Sequence, residues 1–404
     1  MTDRRPKNLI SQDIYEAFCR NDRNVSATAR ELGLHRQTVL IHVDKVENGA
    51  THKAKGESEL IYLRQQVKQL QKQQLTDEAV RAELLKVAAA TPKTPDWLTK
   101  PSKPATDLMG VPTLFASDWH FGEVVRPAEI GGVNEYSITI AKERARTFIN
   151  VAIDLLRNHL RGKYPGVVFA LGGDMLSGDI HEELSETNEV PTMPALLELV
   201  GVLAWCIRTL ADEFGNVFVP CVTGNHGRTS RKPRAKRRNH TNFDWLLYQL
   251  LQRYFENDKR VTFLIPEGPD AYFMVHNTRY LLTHGDQFRG GDGMIGALGP
   301  ISRGDKKKRA RNGQTDRSFD VMMLGHWHSY IHVNRFIVNG SLKGYDEYAD
   351  ASNFDFESAQ QAMWITHPQH GITFRMPIYV QRKNQTAKTE WVSLASLNGT
   401  RNAV

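Results

Sequence analysis

The chain has 404 residues, 40% of them hydrophobic, which is enough for one large domain with a substantial core and smaller attachments. Its 52 Lys and Arg against 45 Asp and Glu give a formal charge of +7 and a pI near 9.2, a balance that favours polyanionic partners. No stretch approaches the roughly 18 uninterrupted apolar residues of a membrane helix, and the MTDRRPKN start lacks a signal peptide's apolar segment. A soluble, cytoplasmic protein without a membrane partner is therefore expected. The three cysteines, Cys19, Cys206 and Cys221, are odd in number and out of metal-binding spacing, and read as reduced core residues.

Three helical patterns open the chain: ISQDIYEAFCRN, NVSATARELGL and HRQTVLIHVDKVE, with turns near Asn21 to Asn24 and at Gly33 to Leu34. Ala27, Ala29, Leu32, Leu34, Val39 and Ile41 supply apolar contacts, and Gly33 permits the left-handed residue of a sharp inter-helix turn. The pattern resembles a helix-turn-helix over residues 1–50. Such a module lays its second helix in the major groove with the leading residues at base edges, which would bring His35, Arg36, Gln37 and Thr38 to DNA. A three-helix bundle used for protein contact is the alternative. Residues 56–90 are rich in Glu, Leu, Gln and Lys, and Leu60, Leu63, Val67 and Leu70 are spaced as a short coiled-coil seam. The segment reads as a helical spacer through which a homodimer could form, or as a solvated helix. Residues 91–108, with repeated Pro and little apolar content, read as a semi-rigid linker.

Beyond the linker, five strand-like runs, PTLFA, VVFAL, VFVPCV, RYLL and DVMML, each lead into a polar cluster. These are SDWH (Ser117 to His120), GGD (Gly172 to Asp174), TGNH (Thr223 to His226), THGD (Thr283 to Asp286) and GHWH (Gly325 to His328). Carboxylate, imidazole and amide oxygen hold first-row divalent cations when no thiolate is offered. A carboxylate can also bridge two cations about 3.5–4 Å apart, the arrangement that clamps attacking and leaving oxygens in phosphoryl transfer. Asp174 is the natural bridge. Each cluster alone is weak, but five in order at strand ends, where open α/β sheets bind ligands, make one divided metal site the better reading.

From Val111 to Arg382 these motifs resemble the calcineurin-like metallophosphoesterase superfamily, whose pattern runs D-x-H, G-D, G-N-H plus an acid, a lone His and G-x-H. The resemblance implies an α/β fold: a two-sheet sandwich flanked by helices over residues 111–382, here preceded by the all-α helix-turn-helix and the spacer. It also implies that Asp118, His120, Asp174 and His328 hold one metal, and that Asp174, Asn225, His284 and His326 hold the other. His226 corresponds to the outer-sphere histidine that stabilises the transition state or protonates the leaving oxygen, and with Asp174 it is a catalytic residue on that reading. The family's acid after this histidine is Gly227 here, which leaves Asp179, Asp286 or substrate phosphate as candidate partners for His226. The segment GGDMLSGD departs from the G-D-x-x-D-R-G of the phosphoprotein phosphatase branch, and Asp179 with His181 to Leu184 would line the substrate side or cap a helix.

Two basic runs flank the clusters. The first, Gly227 to His240, contains Arg231, Lys232, Arg234, Lys236, Arg237 and Arg238; the second, Arg303 to Gln314, contains Lys306, Lys307 and Lys308. As loops beside a phosphate-cleaving centre they would gather a nucleic-acid backbone. The Gly-rich GDQFRGGDGMIGALGP suggests a lid. Trp119 and Trp327 read as core, NGS (Asn339 to Ser341) as a late strand-end turn, and residues 383–404 as a polar tail. The expected protein is a two-metal phosphodiesterase acting on DNA, with Mn2+ favoured by the mixed donor set and Fe, Zn or Ni as other ions. A phosphatase or phosphodiesterase for nucleotides or other small esters is the second reading. A DNA-binding regulator with a silent metal domain is the third.

Overall fold

The computed structural model describes residues 10–47, 94–99, 110–290 and 296–381. The proposed spacer at 56–90 and the tail at 383–404 lie outside the described residues, as do residues 291–295 of the Gly-rich segment. The chain divides into two compact units, Met1–Ala89 and Ala90–Val404.

In the first unit, α1 (Ser11–Arg20), α2 (Val25–Leu32) and α3 (residues 36–47) pack around Ile14, Phe18, Ala29, Val39 and Val43. The Asn24 side chain caps α2 by accepting from the Ser26 and Ala27 N–H groups at 3.0 and 3.1 Å. Gly33 ends that helix at φ +67°, as a left-handed turn requires. One core position differs from the sequence reading. Ile41 is exposed and Val43 takes its place, because a helix buries Val39 and the residue four positions on, not two.

The second unit is a four-layer sandwich. One sheet has the order β11-β10-β1-β2-β3-β4, comprising β1 (Val111–Ala116), β2 (Val167–Leu171), β3 (Val217–Pro220), β4 (Val261–Leu264), β10 (Gln360–His367) and β11 (Gly371–Tyr379). The other has the order β5-β6-β7-β9-β8, comprising β5 (Asp270–Val275), β6 (Thr278–Thr283), β7 (Val321–Leu324), β8 (Ile331–His332) and β9 (Phe336–Val338). Strands β1 to β4 run parallel, as do β6, β7 and β9. Side chains alternate across each strand, so apolar residues at every position fill two cores at once. In β2, Val167, Phe169 and Leu171 face the helices while Val168 and Ala170 face the other sheet. In β7, Val321 and Met323 meet the first sheet while Met322 and Leu324 face outward onto a third cluster.

Helices α5 (Ile138–Asp154), α7 (Thr192–Phe214) and α8 (Phe243–Tyr254) cover the first sheet, and α9 (Leu298–Gly313) contributes Ile301 to the cluster on the second. Short α6 (Glu182–Thr187) and α10 (Glu347–Ala351) lie in connections. Among the described residues α7 alone is long and apolar enough to cross a membrane. Its Leu196, Leu199, Leu203, Ile207 and Leu210 are instead buried in the main core, each worth about 1.5–3 kcal/mol of transfer.

Of residues 91–108, read from the sequence as a linker, the structure describes 94–99. A short helix, α4 (Asp96–Thr99), buries Leu98 in the inter-sheet core, and the His276 N–H donates to the Leu98 carbonyl at 2.7 Å. The apolar Trp97–Leu98 pair outweighs the flanking prolines.

Candidate metal centre

Every cluster singled out in the sequence sits just past the carboxyl end of its strand: Asp118 and His120 after β1, Asp174 after β2, Asn225 after β3, His284 after β6, His326 and His328 after β7. Because β1, β2 and β3 are parallel in one sheet and β6 and β7 are parallel in the other, the ends converge on one rim. Three groups of side chains have ligand atoms within 4.8 Å of one another: Asp118, His120 and His328; His120, Asp174 and His226; Asp174, His284 and His326. The groups overlap at His120 and Asp174. His284 Nε2 lies 3.0 Å from Asp174 Oδ2 and 3.2 Å from Asn225 Oδ1, while His120 Nε2 lies 3.0 Å from His328 Nε2. All seven expected ligands are thus brought together.

The backbone is bent to make this possible. Asp118, His120, Asp174, His326 and His328 all have φ between 45° and 69°, where a side chain costs of order 1–3 kcal/mol. Buried contacts hold the bends. The Ser117 N–H and the Trp119 indole N–H both donate to Gln361 Oε1, and Asn339 Nδ2 donates to the Phe115 carbonyl and Ser117 Oγ. Ser341 Oγ donates to the Asp118 carbonyl at 2.9 Å, which gives the NGS turn its task, and Trp119 is core as expected. Gly224 is confined by space: a Cβ there would stand 2.1 Å from Asp174 Oδ1.

Two of the imidazoles are oriented by a hydrogen bond through the second nitrogen, and a third faces a carboxylate. His284 Nδ1 lies 2.9 Å from the Gly172 carbonyl, so its Nδ1–H donates there and Nε2 faces the carboxylates. His120 Nδ1 faces Glu123 Oε2 at 3.4 Å, and the other Glu123 oxygen accepts from Lys343 Nζ at 2.8 Å. Lys343 also pairs with Asp346 at 2.5 Å, and all three groups are buried. For His226 the partner is the Ser177 carbonyl, 2.9 Å from Nδ1, rather than Asp179 or Asp286. An acid at Gly227 has no room, since a Cβ there would stand 2.5 Å from Asn242 Oδ1. Asp286 instead accepts from Arg238 at 2.8 Å.

Electrostatics suit a cation. Burial pushes the Asp174 carboxyl up, but the His284 and His226 imidazoles outweigh it and hold it well below the usual carboxylate range. Burial lowers His284, yet Asp174 raises it to about 10, so these carboxylates draw positive charge to Nε2, the nitrogen that must shed its proton to serve as a ligand. Burial and then His284 take His326 down to about 4, and burial and then Lys343 take His328 down to about 3, leaving both neutral as ligands must be. Carboxylate, imidazole and amide donors without thiolate fit a hard or borderline divalent ion.

Sequence reasoning missed Asp244 at the start of α8. Its carboxylate accepts from the N–H groups of Asp174 (3.0 Å), Met175 (3.2 Å) and Gly224 (2.9 Å), tying the second cluster to the third. The signal in sequence is only an Asp two residues after a capping Asn, which marks any helix start. Glu123 and Lys343 left no signal.

The basic runs divide. Residues 230–238 form turns and bends in which Arg231, Lys232, Arg234, Lys236 and Arg237 are exposed; Arg231 pairs with Glu182 and Arg238 with Asp286. The second run is not a loop but part of α9. Lys306 and Lys307 are exposed, whereas Lys308 is buried against Asp270 and Thr283 Oγ1, which removes it from any backbone-gathering surface. In the first unit, Arg36 and Gln37 are exposed at the start of α3, Thr38 is half-buried, and the His35 ring accepts from the Gln37 N–H at 3.4 Å.

Residues 13–52 match the family model of the PucR C-terminal helix-turn-helix domain. No curated protein matches the chain. Among solved structures, the chain is similar to a conserved uncharacterised protein from Streptococcus pneumoniae described as a predicted phosphoesterase (11% identity, TM-score 0.25, covering 67% of this chain and 99% of that one). It is also similar to a Vps29 single mutant from Entamoeba histolytica (13%, 0.28, 66% and 99%) and to a dimetal phosphatase from Danio rerio (10%, 0.31, 67% and 99%).

Proposed function

We propose that the second unit is a binuclear-metal-dependent phosphoester hydrolase and, more finely, a nuclease that the helix-turn-helix delivers to DNA. The observation that carries the hydrolase reading is the overlap of three Asp/His groups through His120 and Asp174 at the ends of five strands. Asp118, His120, Asp174 and His328 would hold one divalent ion, and Asp174, Asn225, His284 and His326 the other, with Mn2+ favoured by the donor set. Bound ions would polarise the phosphoryl oxygens and lower the pKa of water.

The chain's own groups do the rest. Asp174, held ionised by His284 and His226, keeps a full negative charge between the two halves of the site. His226, fixed through Nδ1 by the Ser177 carbonyl, offers Nε2 for the leaving oxygen. Its ring stands 4.5 Å from that of His120 and 5.8 Å from that of His181, centroid to centroid. The exposed cations of 230–238 and Lys306 and Lys307 support an extended phosphate backbone as substrate, and Arg36, Gln37 and Thr38 on α3 support a groove contact. The free cysteines, two of them buried, support a reducing, intracellular compartment.

The test is turnover of single- and double-stranded DNA, RNA, nucleotides and a generic phosphodiester with added Mn2+, in wild type and Asp174→Ala. Wild type should cleave DNA and lose activity with a chelator. Asp174→Ala should be inactive while still binding DNA. Rapid nucleotide turnover with no cut polymer would reject the nuclease and leave the small-ester hydrolase.

A further inference from the structure

The segment 227–240 carries seven cations, Arg228, Arg231, Lys232, Arg234, Lys236, Arg237 and Arg238. They are not equivalent. Arg228 sits at the root of the insertion, two residues past His226, on backbone zipped to the start of α8. It bridges Asn242, with the Thr229 N–H donating to the Thr241 carbonyl at 2.9 Å and the Phe243 N–H to the Gly227 carbonyl at 2.6 Å. Its guanidinium is half-buried and held by three carbonyls: Nε donates to Ser230 (2.9 Å), Nη1 to Asn225 (3.3 Å) and Nη2 to Arg231 (3.0 Å).

A guanidinium has five N–H groups, so these bonds leave one on each terminal nitrogen. Carbonyl dipoles hold the fork without neutralising it. Arg238, by contrast, is neutralised by Asp286 at 2.8 Å, and Arg231 by Glu182. Arg228 lines a small pocket with Asn225, Ser230, Arg238 and Asp286, and Asp174 and Asp286 are the carboxylates whose charge acts on it. A positive charge, held in place ahead of ligand binding, therefore lines a pocket beside the expected ligand Asn225 and within the electrostatic reach of Asp174.

We propose that Arg228 is a phosphate-binding residue that donates to a non-bridging oxygen of the substrate's phosphoryl group. This rests on the hydrolase reading above and adds to it the group that fixes the reacting phosphate. A mere staple for the insertion would use the same three carbonyls but would leave phosphate affinity untouched.

The test uses the full-length Mn2+-loaded protein and inorganic phosphate as probe, with R228Q and R228K. Phosphate is titrated calorimetrically and as a competitive inhibitor of hydrolysis of bis(p-nitrophenyl) phosphate. Loss of one charge-assisted contact should weaken phosphate and raise KM by about ten- to hundredfold in R228Q, less in R228K, with Mn2+ affinity unchanged. Unchanged phosphate affinity in R228Q overturns the assignment, as does a wild type that binds no phosphate. A loss of Mn2+ affinity as large as the loss of phosphate affinity also overturns it, because it makes Arg228 a support for Asn225. A wild type that binds phosphate through Arg228 but hydrolyses no ester sinks the hydrolase reading alone.

Discussion

Replacing Lys343 with Met should be among the most damaging single changes outside the metal ligands. The Lys343 side chain is 4% exposed, and its Nζ lies between Glu123 and Asp346, whose side chains are 10% and 7% exposed. Burial would push the lysine down, but the two carboxylates outweigh it and hold it above its ordinary value; Asp346, raised by burial, is brought down to about 2 by Lys343. Lys343→Met keeps the volume and strands both acids in a nearly dry site. Removing one partner of a buried pair costs about 3–5 kcal/mol. At about 2 °C per kcal/mol for a unit of this size, Tm should fall by about 6–10 °C. The sign with pH is also set. In the wild type the depressed Asp346 contributes stability that is fully present above its unfolded pKa and lost as pH falls through about 4 to about 2. In the variant the stranded acids are relieved by taking up protons, so the Tm deficit should be largest near pH 7.5 and smaller near pH 5. Because Glu123 faces His120 Nδ1, Mn2+ affinity should fall by about ten- to hundredfold as well. Calorimetric melting at the two pH values and Mn2+ titration check both statements. A variant melting within 2 °C of wild type, or a deficit that widens in acid, would refute the buried-triad argument.

Gly224→Ala sets a methyl group 2.1 Å from Asp174 Oδ1 and 2.2 Å from its backbone nitrogen, so Mn2+ binding measured by calorimetry should weaken by at least about tenfold, with about 1–3 kcal/mol of strain. Burial, and then Arg375, take His332 down to about 4, and neither ring nitrogen has a hydrogen-bond partner. Below pH 6.5 the unfolded chain takes a proton that the folded chain refuses, so stability falls from pH 6.5 toward 4; His332→Leu should flatten this limb in melts across pH 4.5–7.5. Lys308→Ala should cost about 1–3 kcal/mol by chemical denaturation because it leaves the buried Asp270 carboxylate with Arg311, at 3.2 Å, as its remaining ion-pair partner, whereas Lys306→Ala should stay within about 0.5 kcal/mol and instead reduce the salt dependence of DNA binding. Equal stability of the two lysine variants would contradict the burial of Lys308.

What was legible in the sequence follows a physical rule. Apolar runs such as VVFAL and DVMML declare strands buried on both faces, and a strand's end is fixed by its own residues. The position of each polar cluster at a strand end is therefore local information, and parallel neighbours carry those ends to one rim. Roles that depend on which face of an element meets a neighbour were not legible. In α9 the buried positions Ile301, Gly304, Asp305, Lys308 and Asn312 keep helical spacing, but most are polar, and a run of cations with no apolar stripe hides its inward face. The same holds in α3, where Val43 and Ile41 compete for the core and only the helix phase decides. Asp244, Glu123 and Lys343 act through residues 70, 3 and 220 positions away, and their types are those of any cap or surface charge. Gly227 marks the boundary most clearly. The missing acid was visible as a departure from the motif, but what replaces it is the main-chain carbonyl of Ser177, a group every residue carries. The Asn242 side chain that fills the space comes from fifteen residues further on. A sequence can show that a side chain is absent; a substitute built from backbone becomes visible only when the chain has folded around it.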